Sequence, residues 1–178
     1  MNKNWYPNDY VESTYKIDFA ELAKEGYSAV IFDVDNTLVP HGAPADDRAK
    51  ELFQLLNANG FSCMLLSNNK EPRVKSFAED VKYTSYIYKA NKPSNTGYKK
   101  AMEQMGSNED NTIFVGDQIL TDVWGARRAG LRTIMVKPVL KWKEEPQIVL
   151  KRFVEAIILF FYKIYKKHGD IIIETPLI

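Results

Sequence analysis

Two carboxylates stand two positions apart in the segment Asp33-Val-Asp-Asn-Thr-Leu38, directly after the apolar run 28–32. Alternate side chains of an extended chain point to the same side, so Asp33 and Asp35 are expected to lie close together. Neighbouring carboxylates repel each other unless a positive charge lies between them. Mg²⁺ meets this need, because it prefers carboxylate and carbonyl oxygens. The segment therefore predicts a magnesium site at the end of a buried strand; the alternative is an Asp-rich turn that only closes the strand.

Two further segments place phosphate-binding groups after apolar runs. Ser67 and Asn68 follow the run 61–66, and Lys92 lies in the segment 90–94. A hydroxyl and free backbone N–H groups at a strand end can bind phosphoryl oxygens, and a lysine can neutralise the charge of a phosphoryl group in transfer. Taken singly, each segment has a simpler explanation, because serine and asparagine are common in turns and most lysines are solvated.

A third carboxylate is predicted to complete the site. Asp117 follows the apolar run 112–115 and is placed to complete the magnesium shell begun by the first two carboxylates. Asp122 stands near the start of the next predicted helix, where it either supports this site or only favours the helix dipole. His41, in the loop after the first motif, either contacts the substrate or is simply exposed.

The elements that must position these groups alternate along the chain. Apolar runs at 28–32, 61–66, 83–88, 112–115 and 132–136 predict strands, and helical patterns at 46–59, 72–80, 94–105 and 120–129 predict helices. This order predicts an α/β fold with a mostly parallel, five-stranded sheet covered by helices on both faces. Ligands of such sheets bind outside the carboxyl ends of the strands. The polar groups are therefore expected at one edge of the sheet.

Composition limits the function classes. The chain has 178 residues, is 45% hydrophobic and has 24 Lys and Arg against 23 Asp and Glu. A balance this even predicts a globular protein that does not bind nucleic acid. The single cysteine, Cys63, excludes an intrachain disulfide and argues against a structural zinc site, which fits the cytoplasm. No apolar run reaches the roughly 18 residues of a membrane span, and the first residues lack the pattern of a signal peptide.

We expect one domain over residues 1–178, with a core at about 27–138 and a C-terminal extension at 139–178. The extension is predicted to form an apolar helix at 148–167 and a short strand at 171–173. Residues 137–168 contain eight Lys and Arg against three Glu. The helix is expected to pack on the core, to pair with a second copy in a homo-oligomer, or to lie on an anionic membrane surface.

The four motifs together, D-x-D-x-T, S, K-P and G-D-x-x-x-T-D, resemble those of the haloacid dehalogenase (HAD) superfamily. Over most of its length the chain is similar to the YqeG-type phosphatases of HAD subclass IIIA. The resemblance implies a Rossmannoid three-layer sandwich. Only 33 residues separate Asp33 from Ser67, and 24 separate Ser67 from Lys92. Neither interval has room for an inserted cap domain, so we expect an open site.

The resemblance also implies a role for each motif residue. Asp33 corresponds to the nucleophile and Asp35 to the general acid and base. The remaining roles are phosphate binding by Ser67, Asn68 and Lys92, metal binding by Asp33, Asp35 and Asp117, and support by Thr37 and Asp122. The cofactor implied is Mg²⁺.

The predicted function is Mg²⁺-dependent hydrolysis of a phosphomonoester through an aspartyl-phosphate. Relatives of the YqeG-type family convert phosphatidylglycerophosphate to phosphatidylglycerol, which implies a phospholipid substrate and a cytoplasmic protein in peripheral contact with the inner membrane face. A site without a cap suits a bulky substrate such as a phospholipid. One alternative is a soluble phosphatase for a sugar phosphate, nucleotide or phosphoprotein. The other is a binding or scaffold protein without catalysis, which the complete set of motif residues disfavours.

Overall fold

A computed structural model describes residues 3–139, 155–162 and 164. The strands are β1 (Asp9–Val11), β2 (Ala29–Phe32), β3 (Ser62–Leu66), β4 (Ser85–Ile87), β5 (Thr112–Gly116) and β6 (Arg132–Val136). The helices between them are α1 (Phe19–Lys24), α2 (Asp47–Ala58), α3 (Glu71–Val81), α4 (Thr96–Met105) and α5 (Trp124–Arg128). A turn of π-helix at Ile119–Val123 leads into α5.

All pairs in the sheet are parallel, and the strand order is β1-β6-β5-β2-β3-β4. The α/β fold with a parallel sheet is confirmed, but the prediction of five strands is wrong, because the sheet has six. The missed strand β1 pairs with the edge of β6, with Asp9 opposite Ile134. It has three partly exposed residues, too few to display the alternation by which a strand is recognised in sequence.

The central strand β2 is buried on both faces, as expected of a parallel sheet covered by helices. Val30 and Phe32 belong to an apolar cluster that includes residues of α1, α2 and α3. Ile31 points the other way into a second cluster, formed with residues of α4 and α5. The three layers predicted for the fold are therefore present, and β2 delivers the residues that follow it to the centre of the sheet edge.

No cap domain interrupts the core. The interval from β2 to β3 contains one helix, α2, and the interval from β3 to β4 contains one helix, α3. Both intervals fall within residues 3–139, which are described without a gap. Within residues 3–139, no inserted domain therefore covers the edge of the sheet at the carboxyl ends of the strands.

The C-terminal helix is described only at residues 155–162 and 164, which are helical. Ile158 and Leu159 pack against a small apolar cluster of Ile119, Val123 and Met135. The rest of the predicted helix and the predicted strand at 171–173 lie outside the described residues. Within the described part of the chain, no helix combines the length and hydropathy needed to cross a bilayer.

Candidate active site

The ends of β2, β3, β4 and β5 supply the walls of one cavity of about 240 Å³. Seven of the residues singled out in the sequence line it: Asp33, Asp35, His41, Ser67, Asn68, Lys92 and Asp122. These residues come from segments far apart in the chain and meet because the strands that precede them are parallel neighbours. The expected gathering of polar groups at one edge is therefore observed.

The turn after β2 fixes Asp33 in place. Its backbone N–H donates to the carbonyl of Val115, 2.9 Å away, which extends the pairing of β2 with β5 by one residue. Asn36 then adopts a left-handed backbone conformation with φ 66°, and its N–H donates to the carbonyl of Val39. Asparagine tolerates this conformation better than most residues. The tight turn brings Thr37 back toward the carboxylate that it follows by four positions.

Lys92 is the positive group of a buried cluster with Asp33, Asp117 and Asp122, which we call the floor of the cavity. Its Nζ donates to Asp33 Oδ1 at 2.7 Å and to Asp122 Oδ1 at 2.8 Å, and only 3% of its side chain is exposed. Asn68 fixes the backbone of Lys92 with two hydrogen bonds. Its Oδ1 accepts from the Lys92 N–H at 2.7 Å, and its Nδ2 donates to the Lys92 carbonyl at 3.1 Å. The structure thus gives Asn68 a contact that the sequence did not predict: it fixes the backbone of the residue that carries the charge.

Three buried carboxylates share the floor with this lysine. Ligand oxygens of Asp33, Asp117 and Asp122 all lie within 4.8 Å of one another. The Thr37 hydroxyl is 3.2 Å from both Asp33 Oδ2 and Asp117 Oδ1. Three carboxylates beside one ammonium leave an excess of two negative charges when all are ionised. The donor set therefore fits a hard divalent cation, which oxygen ligands of this kind bind.

The predicted ligand set differs from this cluster in one member. The sequence assigned Asp35 to the metal and Asp122 to a supporting place, whereas the three grouped carboxylates include Asp122 and not Asp35. Asp122 reaches the floor because Asp122 Oδ2 accepts from the Gln118 N–H at 3.0 Å. Gly116 makes room for it, since a Cβ there would lie 2.7 Å from Asp122 Oδ2. Metal binding by Asp35 stays a prediction.

Burial and charge act in opposite directions on the pKa values of the floor. Burial raises the pKa of Asp33 from 3.8 to about 6, and Asp122 and Asp35 also raise it, although the Lys92 ammonium opposes the shift. For Lys92, burial lowers the pKa, but the charges of Asp122 and Asp33 outweigh it and hold the pKa above its ordinary value. The lysine therefore stays charged at neutral pH, and without a bound cation the cluster retains a proton up to about pH 6.

Asp35 has different partners, on the side of the cavity formed by a loop and α3, which we call the rim, although its side chain is 10% exposed, as is that of Asp33. Its Oδ1 accepts from the Gly42 N–H at 2.7 Å and from an Arg73 guanidinium nitrogen at 3.0 Å, and its Oδ2 accepts from Asn69 Nδ2 at 2.6 Å. The Nδ1 of His41 lies 4.0 Å from Asp35 Oδ1. The carboxylate is thus held by a loop, a strand end and the first turn of α3.

Two residues that contact Asp35, Asn69 and Arg73, were not predicted from the sequence. A usable signal existed, since an arginine in the first turn of the helix after a polar strand end lies close to that end. The side-chain directions that join both residues to Asp35 depend on packing and cannot be obtained from spacing.

An open cavity with a lysine and a carboxylate cluster at the carboxyl edge of a parallel sheet is the arrangement of a phosphate-processing hydrolase of the HAD type. The comparisons agree. The sequence model of the HAD-hydrolase-like family matches residues 89–156. The chain is 36% identical over 140 residues to the "Probable phosphatase YqeG" of Bacillus subtilis (strain 168), covering 78% of this chain and 81% of that protein. The chain belongs to the HAD superfamily of phosphatases, in the YqeG-type family.

Two more distant comparisons extend this placement. The chain is 26% identical over 159 residues to phosphatidylglycerophosphate phosphatase 1, chloroplastic/mitochondrial, of Arabidopsis thaliana, covering 80% of this chain and 43% of that protein. Its fold is similar to that of a HAD superfamily (subfamily III A) hydrolase of Legionella pneumophila, with a TM-score of 0.53 and 20% identity, covering 69% of this chain and 73% of that one. The second comparison concerns the fold alone.

Proposed function

We propose that this protein hydrolyses the phosphomonoester of phosphatidylglycerophosphate, releasing phosphatidylglycerol and inorganic phosphate, at the cytoplasmic face of the membrane. The observation that carries the proposal is the buried floor, where Asp33 lies 2.7 Å from a lysine and within 4.8 Å of two further carboxylates. A phosphoryl group seated there meets a nucleophile and a positive charge at once. Asp35 lines the same cavity, and in this proposal the leaving group lies on its side.

In the first step, a carboxylate oxygen of Asp33 attacks phosphorus in line with the bond to the leaving oxygen. A bond from Asp33 to phosphorus forms, the bond from phosphorus to the ester oxygen breaks, and Asp35 gives a proton to that oxygen. The alcohol leaves with both electrons of the broken bond and the new proton. Lys92 and the Ser67 hydroxyl stabilise the charge of the phosphoryl oxygens.

In the second step, water attacks the phosphorus of the aspartyl-phosphate. Asp35, now a carboxylate, takes a proton from that water. The bond from phosphorus to Asp33 breaks, phosphate leaves and the Asp33 carboxylate is restored. Asp35 thus ends the cycle protonated, ready for the next ester.

Mg²⁺ is the cofactor in this proposal, and Asp33, Asp117 and Asp122 are the carboxylates grouped closely enough to hold it. Asp35, which the sequence also predicted as a metal ligand, lies outside this group of three. A bound divalent cation supplies positive charge that stabilises the transferring phosphoryl group. Within the chain, Thr37 keeps two of the carboxylates together, with its hydroxyl 3.2 Å from each.

The lipid substrate is supported by the surface as well as by the Arabidopsis relative. Ile157, Phe160 and Phe161 lie on one side of the C-terminal helix and are 46%, 61% and 48% exposed. The opposite side packs near the π-helical turn that carries Asp122, and Glu155 there accepts a hydrogen bond from the Leu120 N–H at 3.2 Å. An exposed apolar face beside the active site suits an enzyme that works on a membrane surface.

The proposal keeps the chain as one catalytic domain, with a core at about 27–138. Residues 139–178 are the proposed extension, and its helix, described at residues 155–162 and 164, provides the membrane contact in this proposal. Basic residues flank the described part of this helix in the sequence at Lys151, Arg152, Lys163, Lys166 and Lys167. Cations near the headgroups of an anionic membrane each favour binding by about 1 kcal/mol. The protein would thus stay peripheral and reach its substrate from the cytoplasm.

Phosphate release by the purified protein tests the substrate. We expect turnover of phosphatidylglycerophosphate in anionic vesicles with Mg²⁺, loss of turnover with a chelator, and much lower kcat/KM for sugar phosphates, nucleotides and phosphopeptides. A water-soluble ester turned over faster than the lipid would replace this substrate with that one. Failure to release phosphate from any ester would favour a binding or scaffold role.

Vesicle sedimentation tests the membrane contact separately. Phe160→Ser combined with Phe161→Ser should weaken binding to anionic vesicles by roughly tenfold or more, because two exposed aromatic rings lose their contact with lipid. Leu55→Ser is the matched control, since Leu55 is 57% exposed on α2. Equal binding by the double variant and the control would mean that the helix faces a second copy or packs elsewhere.

A further inference from the structure

The guanidinium of Arg73 pairs with Asp35, the residue proposed to protonate the leaving group. It donates to Asp35 Oδ1 at 3.0 Å, and its side chain is 20% exposed. Its charged end also lies 5.5 Å from the centre of the Phe77 ring, which supports one face of the planar group. Its Nε is buried and makes no hydrogen bond within the described residues. The unused donor is therefore the buried Nε, while another part of the side chain reaches solvent.

The contacts of Asp35 have a consequence for its role. Three donors occupy its two oxygens: a backbone N–H of Gly42, the amide of Asn69 and the guanidinium of Arg73. When Asp35 carries the proton for a leaving oxygen, it loses the negative charge that holds the guanidinium, so its pair with Arg73 weakens. The arginine is the donor that an incoming anion would draw away, because it alone of the three carries a full charge.

The leaving alcohol must pass this same point. A general acid lies within hydrogen-bonding distance of the oxygen that it protonates. Substituents of that oxygen therefore lie on the Asp35 side of the cavity, which the partly exposed ring of His41 also lines, with Arg73 directly beyond Asp35. On the floor, Lys92 pairs with two carboxylates and is the cation assigned to the phosphoryl group itself, so a second anionic group needs another cation.

We propose that Arg73 is a specificity residue that recognises a second anionic group on the leaving alcohol, a phosphodiester, and releases Asp35 when it does so. In the empty site, Arg73 keeps Asp35 at the rim. With such a substrate, the guanidinium pairs with the phosphodiester, and Asp35 turns to the ester oxygen. This inference rests on the proposed function and adds the reason why an alcohol bearing a phosphodiester is favoured.

Two water-soluble esters test the inference without a membrane. Glycerophosphoglycerol phosphate, the deacylated headgroup, has a phosphomonoester and a phosphodiester, whereas glycerol 3-phosphate has the same three-carbon alcohol without the diester. The wild type should show a higher kcat/KM for the first ester. Arg73→Gln should reduce that preference by roughly tenfold, the factor expected for one charge-assisted hydrogen bond.

Two further variants sharpen the result. Arg73→Lys keeps the charge but not the planar fork, so it should restore part of the preference. Lys75→Gln is the matched control, because Lys75 also lies on α3, is 54% exposed and pairs only loosely with Glu79 at 3.9 Å. It should leave the preference unchanged.

Three results would overturn the inference, and each refutes a different part of it. An equal loss for both esters in Arg73→Gln would make Arg73 a purely structural support of Asp35. A wild type that hydrolyses both esters without preference would remove the recognition of a second anion and leave the hydrolase proposal intact. A wild type that hydrolyses neither ester nor the intact lipid would refute the proposed function itself.

Discussion

Asp33 and Asp35 are two residues apart in sequence, yet they occupy two different parts of the cavity. Asp33 lies on a floor built from strand ends, where Lys92 neutralises it and burial raises its pKa to about 6. Asp35 lies at a rim built from a loop and a helix, where Gly42, Asn69 and Arg73 donate to it. The floor is suited to one invariant part of the substrate, the phosphoryl group, and the rim to the part that varies, the leaving alcohol.

The sharpest way to separate floor from rim is to remove the nucleophile. Asp33→Asn should reduce kcat by roughly 10³-fold or more for every ester, since no aspartyl-phosphate can form. Phosphate release from an aryl phosphate and from an alkyl phosphate measures this. Asp47→Asn is the matched control, because Asp47 is 94% exposed on α2. Substantial activity of Asp33→Asn on either ester would show that the nucleophile is another group.

Removing the rim carboxylate should discriminate between leaving groups. Asp35→Asn is expected to reduce kcat for an alkyl phosphate by about 10²–10⁴-fold, the usual contribution of general acid–base catalysis. The loss should be smaller in the first step for an aryl phosphate, whose leaving group needs little protonation. Burst kinetics with the aryl ester would show this as accumulation of the phosphorylated enzyme. A uniform loss in both steps for both esters would contradict the assignment of Asp35 to the leaving group.

The burial of Asp33 predicts a pH dependence of stability in the metal-free protein. Its pKa is about 6 in the folded state against 3.8 ordinarily, so the folded protein binds the proton more tightly than the unfolded chain. The free energy of unfolding should therefore fall as pH rises from about 4 to about 6, and the loss should persist above that range. Because one pKa unit corresponds to about 1.4 kcal/mol, the loss is about 3 kcal/mol at most.

The difference between wild type and Asp33→Asn isolates this effect from other carboxylates. In urea unfolding with a chelator, the variant should lack the fall between pH 4 and pH 6 and be more stable than the wild type at pH 7. Mg²⁺ should stabilise the wild type more than the variant. Identical pH profiles of the two proteins would mean that folding does not raise the pKa of Asp33.

Two neighbouring asparagines give the smallest and most selective test. Asn68 holds the backbone of Lys92 on the floor, and Asn69 holds Asp35 at the rim. Asn68→Ala should weaken turnover of aryl and alkyl esters alike by roughly tenfold. Asn69→Ala should reduce turnover of the alkyl ester by only a few fold and spare the first step with the aryl ester. If instead Asn69→Ala slowed both esters and Asn68→Ala slowed mainly the alkyl ester, the roles assigned to floor and rim would be wrong.

The contrast between floor and rim also explains what sequence could predict. Asp33, Ser67, Lys92 and Asp117 follow apolar runs, and the carboxyl ends of parallel strands must share an edge. The rim depends on side-chain directions from a loop and a helix, so Arg73 and Asn69 could not be placed. Asp122 was expected on a helix start, but the π-helical turn Ile119–Val123 carries it to the floor. The edge strand β1 was missed because it is short and partly exposed.

The most direct test of the floor is to trap the phosphoryl group. The wild-type protein is mixed with Mg²⁺ and substrate, quenched in acid within the turnover time, digested and examined by mass spectrometry. We predict one phosphoryl group on the peptide that contains Asp33, and none in Asp33→Asn treated in the same way. A phosphoryl group on another residue, or steady hydrolysis with no phosphorylated peptide at any quench time, would contradict nucleophilic attack by Asp33.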